Sequence, residues 1–196
     1  MAGAERWLRR AAEGGDTDAM AAVGQILQDR WDLAEAEEWY QRAADAGHSG
    51  AMVNLGVLLT MRGELAEAER WYRRSAETAD TDAMINLAGL LADRDDRAGA
   101  EQWLHRAADA GETDALVNLG ILAGTGGDAD EARRWFGLAA DAGNAAGMFN
   151  LGVLAEERRD LTAAEEWYQR AAAAGNHHAQ VNLGSLRASR GDSGGF

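Results

Sequence analysis

The 196-residue chain contains no cysteine, no proline and no lysine, and all 19 of its basic residues are arginine. Without cysteine there is no disulfide framework, no thiol nucleophile and no thiolate metal site. Without lysine there is no Walker-type phosphate loop and no Schiff-base residue. The absence of proline is compatible with unbroken helices throughout. A formal net charge of −14 leaves no clustered cations to neutralise phosphates, so neither nucleic acid nor an anionic membrane surface is an expected partner. A basic or apolar protein partner is electrostatically easier. No apolar run approaches the ~20 residues that span a bilayer. The opening MAGAERWLRR has no apolar core of the kind a signal peptide carries, and a cytoplasmic location is expected.

What the chain does have is a repeat. Trp7, Trp39, Trp71, Trp103, Trp135 and Trp167 follow one another at steps of 32 residues without insertion. The complete unit opens on a polar or acidic slot (Asp16, Asp80, Glu112, Asn144, Asn176) suited to cap a helix. The helix that follows, helix A, carries Ala51, Met52, Leu55, Leu58 and Leu59 in the second full unit, an apolar stripe at helical spacing. Gly24, Gly56, Gly120, Gly152 and Gly184 share one slot in mid-helix A, with Ala88 completing it. Glycine there costs about 1 kcal/mol relative to alanine, so its recurrence predicts that another backbone comes close.

A short turn and an acidic cap (Asp32, Glu64, Asp96, Asp128, Asp160, Asp192) introduce helix B. Glu35, Glu67 and Glu131 stand three residues on, as in a capping box. Helix B carries Ala36, Trp39, Tyr40, Ala43 and Ala44, again one stripe, and Gly15, Gly47, Gly111, Gly143 and Gly175 end it. Ala79 replaces that glycine once, which predicts a less regular turn. Helices of about 12 to 15 residues are marginal alone in water, so neighbouring units bury one another's stripes. The expectation is an all-α, right-handed α-solenoid with a 32-residue period. It divides into a half repeat (1–15), full repeats 16–47, 48–79, 80–111, 112–143 and 144–175, a half repeat (176–190) and a flexible tail (191–196).

The motifs A-x-x-N-L-G (Ala51 to Gly56, Ala115 to Gly120) and A-x-x-W-Y-x-R-A-A (Ala36 to Ala44, Ala164 to Ala172) resemble those of tetratricopeptide-type repeats, and more closely the Sel1-like subfamily. The period is shorter than the 34 residues of the tetratricopeptide repeat, and the proline common between its units is absent. The resemblance implies a non-catalytic scaffold for protein interaction. The residues agree, for no nucleophile–base–orienter set is present. Cofactors are not expected. Asp93-Arg94-Asp95-Asp96 opens like a calcium loop but has Leu104 where the closing glutamate belongs. His177 and His178 are adjacent and cannot share a helix face as zinc ligands do. His48 and His105 have no evident partners.

The sharpest constellation is an asparagine ladder on helix A: Asn54, Asn86, Asn118, Asn150 and Asn182. An asparagine amide pairs with both the N–H and the C=O of a peptide backbone. Packed helices lie ~10 Å apart and an extended strand rises ~3.3 Å per residue, so one asparagine would meet a peptide about every third residue. The alternative is that each satisfies backbone groups between units. Ile85, Val117, Ile121, Phe149 and Val153 lie nearby, as side-chain pockets of a concave face or as the margin of a wide apolar arc. The slots with which tetratricopeptide domains clamp a terminal carboxylate hold Asp82, Gly89 and Asp93, so such a tail is not expected in this groove.

Arg10, Arg42, Arg74, Arg106 and Arg170 follow the tryptophans by three residues. With Glu38 and Glu166 four residues before two of them, they suggest a solvated helix face. Trp31 alone is out of register, either an exposed contact residue or folded back on the first units. Neither end shows a polar capping helix. Two further readings follow: an assembly module in which open ends pair head to tail into homo-oligomers, and a regulatory repeat segment of a larger enzyme or signalling protein.

Overall fold

The computed structural model describes residues 2–189 and Gly191. Among them there are twelve α-helices and no strand: α1 Ala2–Glu13, α2 Thr17–Asp29, α3 Leu33–Asp45, α4 Ser49–Met61, α5 Leu65–Ala76, α6 Thr81–Asp93, α7 Arg97–Asp109, α8 Thr113–Thr125, α9 Ala129–Asp141, α10 Ala145–Glu157, α11 Leu161–Ala173 and α12 His177–Ser189. Even-numbered helices are the A helices of the repeat and odd-numbered ones the B helices. The fold is an all-α helical-repeat solenoid. Asp192 and most of the tail lie outside the described residues. By contacts the chain forms two compact units, residues 1–103 and 104–196, with the boundary inside α7.

The turns follow from local chemistry. After α3, Gly47 takes φ 96°, its N–H meets the carbonyl of Ala44, and the His48 N–H reaches back to Ala43 at 3.0 Å. That is a Schellman ending. Ala79 takes φ 68° and its N–H meets the Ala76 carbonyl at 3.1 Å, but α5 ends a residue early at Ala76 and the Thr78 N–H turns to the Ser75 carbonyl at 2.9 Å, so the turn without glycine is less regular than the others. The turns between helices A and B end alike, with Trp31, Asp95 and Arg159 also at positive φ. Trp31 is 75% exposed and does not fold back.

The A helices are capped as expected. Asp16, Asp80, Asn144 and Asn176 accept hydrogen bonds from first-turn N–H groups. His48 fills the same slot, with Nδ1 accepting from the Ala51 N–H at 3.0 Å and Nε2 lying 3.3 Å from Asp18. His105 packs edge-on against Trp135. Both histidines thus have partners that spacing did not reveal. The B helices depart from a capping box. Asp96, Asp128 and Asp160 cap through their side chains, but Asp32 and Glu64 make no such bond. Glu35 instead accepts from Arg9 at 2.5 Å and from the Trp39 indole at 3.5 Å.

Packing within each unit turns on the mid-helix glycine. A Cβ on Gly24 would lie 2.6 Å from Tyr40, and one on Gly56 2.5 Å from Tyr72. In the second unit Gly120 meets Phe136 and Gly152 meets Tyr168 at 2.5 Å. The close neighbour is therefore an aromatic ring of the following B helix, not the backbone that periodicity suggested. The rings are buried, and fully burying one contributes roughly 1.5–3 kcal/mol. Ala36, Ala43 and Ala44, all buried, let α3 approach closely enough to seat Tyr40.

Arginines at the A–B turns join successive B-helix and turn segments. Arg30 pairs with Glu5, Arg62 with Glu37 and Arg94 with Glu69. The arginines after the tryptophans lie over the indole faces, Arg42 at 4.1 Å and Arg170 at 4.2 Å from the ring centroids. This cation–π placement replaces the i,i+4 pairing expected of a plain solvated face. In α12, Gln180 occupies the slot of the buried Met20, Met52, Met84 and Met148. Arg187 occupies that of Leu27, Leu59 and Leu91. Both are exposed, and Arg187 pairs with Glu165 at 2.9 Å. α12 therefore carries a solvated polar face where the other A helices carry methionine and leucine, in contrast to the expectation of no polar capping helix.

Candidate functional site

The asparagine ladder sits on the A helices: Asn54 on α4, Asn86 on α6, Asn118 on α8, Asn150 on α10 and Asn182 on α12. All are half-buried. Successive A helices touch within each unit, α4 with α6 and α8 with α10. The first unit therefore brings Asn54 and Asn86 onto neighbouring helices, and the second does the same for Asn118 and Asn150.

Their hydrogen bonds divide them. Asn54 and Asn182 bond to the hydroxyls of Tyr40 and Tyr168, each 14 residues earlier on the preceding B helix. Asn86 and Asn150 donate to the carbonyl four residues earlier in their own helices, Asp82 at 2.9 Å and Ala146 at 3.0 Å. For Asn150 the reason is plain, because Phe136 stands 14 residues before it and has no hydroxyl. Asn118 likewise has Leu104 at that offset. For Asn86 the equivalent Tyr72 hydroxyl lies 3.4 Å from Thr60. The sequence signal for this division is the constant 14-residue offset between tyrosine and asparagine.

The apolar neighbours also differ. Ile121 is 47% exposed, whereas Val117 is 7% exposed and belongs to the core of the second unit. Ile85, Phe149 and Val153 are half-buried. Phe149 packs against Tyr168 and His178, with ring centroids 5.8 and 6.1 Å apart.

Burial pushes the tyrosine hydroxyls up, Tyr40 and Tyr168 to about 12 from 10.0. The carboxylates of Asp29 and Glu156 reinforce this, while the bonds from Asn54 and Asn182 act against it. Since the folded state holds these protons more tightly, the contribution to stability is complete below about pH 10 and fades as pH rises toward 12. Urea midpoints should therefore fall between about pH 9 and about pH 11. The double variant Tyr40→Phe/Tyr168→Phe should show a shallower fall.

Among the described residues no cluster of histidines and carboxylates is arranged to hold a metal ion. No helix among them is long and apolar enough to cross a membrane.

Sequence and structure comparisons place this architecture. The Sel1 repeat model matches residues 3–16 and 17–48, and tetratricopeptide repeat models match 49–79, 81–112 and 117–179. A Sel1 repeat protein from Oxalobacter formigenes is 30% identical, with 88% of this chain and 78% of that one covered and a TM-score of 0.71. The chain belongs to the Sel1-like, tetratricopeptide-like repeat family. A protective antigen of uropathogenic Escherichia coli displaying an SLR fold is 26% identical with a TM-score of 0.70. The match covers 93% of this chain but spans only 44% of the antigen. YrrB, a tetratricopeptide repeat protein with an unusual peptide-binding site, shares the fold at 20% identity and a TM-score of 0.57, with 91% and 97% of the two chains covered. No curated protein matches significantly. Scaffolds of this family generally mediate protein–protein interaction and are typically non-catalytic.

Proposed function

We propose that the chain is a non-catalytic interaction scaffold that holds an extended peptide or a partner helix on its A-helix face. In the second unit the grip is made by Asn118 and Asn150, with Ile121, Phe149 and Val153 receiving side chains. Asn86 and Ile85 offer the same chemistry in the first unit. One observation carries the reading. Asn118 and Asn150 lie on touching helices, have no tyrosine hydroxyl to serve, and stand near a half-exposed isoleucine. The bond from Asn150 to a carbonyl of its own helix is easily exchanged for one to a ligand. Such a carbonyl already has its helical partner, so releasing the second bond leaves nothing unsatisfied. The net charge of −14 favours basic peptides over acidic ones. Asn54 and Asn182, tied to tyrosines, serve the fold.

Selection from a random peptide library tests this. Wild-type protein should enrich a family of peptides. The triple variant Asn86→Ala/Asn118→Ala/Asn150→Ala should lose them while keeping its helical circular dichroism. Two lost backbone hydrogen bonds per asparagine correspond to at least a tenfold weakening overall. Equal binding by wild type and variant would assign the asparagines to structure.

A further inference from the structure

The second unit breaks the repeat at three positions that line one cleft. In the slot of Glu5, Glu37, Glu69 and Glu101 stands Arg133. In the slot of Leu27, Leu59 and Leu91 stands Ala155, a change shared only with Ala123. In the slot of Glu35, Glu67 and Glu131, which holds Gly99 in one other repeat, stands Ala163. Elsewhere the first of these slots pairs with an arginine 25 residues on, Glu5 with Arg30, Glu37 with Arg62 and Glu69 with Arg94. Here the acid has become a cation, and a leucine and a glutamate have become alanines. The result is a cleft of about 190 Å³ between α9, α10 and α11. Its lining includes Leu151, Ala155, Ala163 and Trp167, with Arg133 and Arg158 alongside.

Charge here is unlike that of the sister positions. Arg158 and Arg133 share one carboxylate, Asp130, at 3.3 and 3.8 Å, and that side chain is 80% exposed. The other acid of the cleft, Asp160, is engaged at 3.1 Å by the Ala163 N–H as the cap of α11. Two guanidiniums beside an apolar floor are therefore held by a single solvated acid, in a chain that is otherwise strongly acidic. Guanidinium forks match a carboxylate in geometry. The volume is below the ~300 Å³ at which drug-sized ligand sites begin, which excludes a nucleotide or other large cofactor. The nearby Asp160 and the overall negative charge disfavour a dianion.

We infer that this cleft is a binding site for a monocarboxylate with a compact apolar body: the apolar part lies against Leu151, Ala155 and Trp167, and the carboxylate displaces Asp130 from Arg133 and Arg158. The same chemistry is presented by a free short-chain acid and by the C-terminal residue of a peptide. The site uses none of the asparagines, so its fate is independent of the A-helix reading.

The test titrates full-length protein with octanoate and with acetyl-Gly-Gly-Leu, each beside its neutral amide, following the Trp167 indole N–H by NMR. That signal is assigned with Trp167→Phe. At least one carboxylate should shift it saturably, and its amide should bind at least tenfold more weakly. The tighter of the two acids identifies the source of the ligand. Arg133→Glu and Ala155→Leu restore residues that sister repeats carry, so both variants should fold, as circular dichroism and thermal melting will show. Each should weaken binding at least tenfold, and Ala123→Leu should leave it unchanged. No shift with either acid at millimolar concentration, equal binding of the amides, or wild-type affinity in both restoring variants would overturn the inference.

Discussion

Gly56→Ala destabilises the first unit by about 1 kcal/mol net, and at most about 2, although alanine is the better helix former. Helix propensity alone favours the substitution by about 1 kcal/mol. The added methyl, however, lies 2.5 Å from Cε1 and 2.8 Å from Cδ1 of Tyr72. The ring cannot swing aside, because it is 3% exposed and its hydroxyl lies 3.4 Å from Thr60. Overpacking of this kind costs about 1–3 kcal/mol and outweighs the propensity gain. The chain itself carries the matching change in sequence. At the one position where the glycine is alanine, Ala88, the residue sixteen places on is Leu104 instead of an aromatic. Gly56→Ala/Tyr72→Leu should therefore be more stable than the sum of its two single variants. Urea unfolding across the four-member cycle measures the coupling, expected at 1 kcal/mol or more for residues in contact. Additive single effects would mean that the ring and the methyl do not meet.

The same pairing shows what was legible in the sequence. The period, the helices, the caps and the Schellman glycines follow from local rules, and the structure has them because each is decided within a turn or two of chain. The ring slot depends on residues on different helices, and periodicity alone does not say whether a neighbour is ring or backbone. Yet it is written as covariation within the chain. Gly24, Gly56, Gly120 and Gly152 precede an aromatic by sixteen residues, and Ala88 precedes a leucine. At twelve residues before, Gln28, Thr60 and Glu156 stand ahead of tyrosines, whereas Gly124 stands ahead of Phe136 and Ala92 ahead of Leu104. The polar ones lie close to the hydroxyls, Gln28 at 3.0 Å, Thr60 at 3.4 Å and Glu156 at 2.8 Å. A buried hydroxyl needs a partner and a phenyl does not. Offsets within one chain thus carry contact information. For the candidate site, reading them would have separated the asparagines with a tyrosine hydroxyl at the 14-residue offset from Asn118 and Asn150. The polar face of α12 was also legible, slot by slot, at Gln180 and Arg187. The exchange of Arg133 and Arg158 for an acid–base pair is equally visible in slots, but its meaning required the cleft beside it.

Tyr168→Ala removes one residue and loosens three helices, with an expected cost of about 3–5 kcal/mol for a buried aromatic. The ring of Tyr168 is buried. It lies against Gly152 of α10, its hydroxyl donates to Glu156 at 2.8 Å, and it accepts from Asn182 of α12 at 3.3 Å. Truncation leaves a cavity facing a glycine, which has no side chain to fill it, so little of the loss is recovered by relaxation. Tyr168→Phe keeps the ring and removes only the two hydrogen bonds. Glu156 is exposed and Asn182 half-exposed, so each reaches water. The cost should be about 1 kcal/mol, near the net value of one ordinary hydrogen bond. Hydrogen exchange separates the two cases. In Tyr168→Ala the amides of α12 should lose protection first and most, because among the described residues this helix packs chiefly on α11, touches α10 through His178 against Phe149, and is otherwise anchored by Ala179 and Leu186. In Tyr168→Phe the protection pattern should stay close to wild type. If both variants lost α12 equally, the hydroxyl network rather than the ring would hold that helix. The asparagine at 182 would then matter to the fold as much as the aromatic it touches.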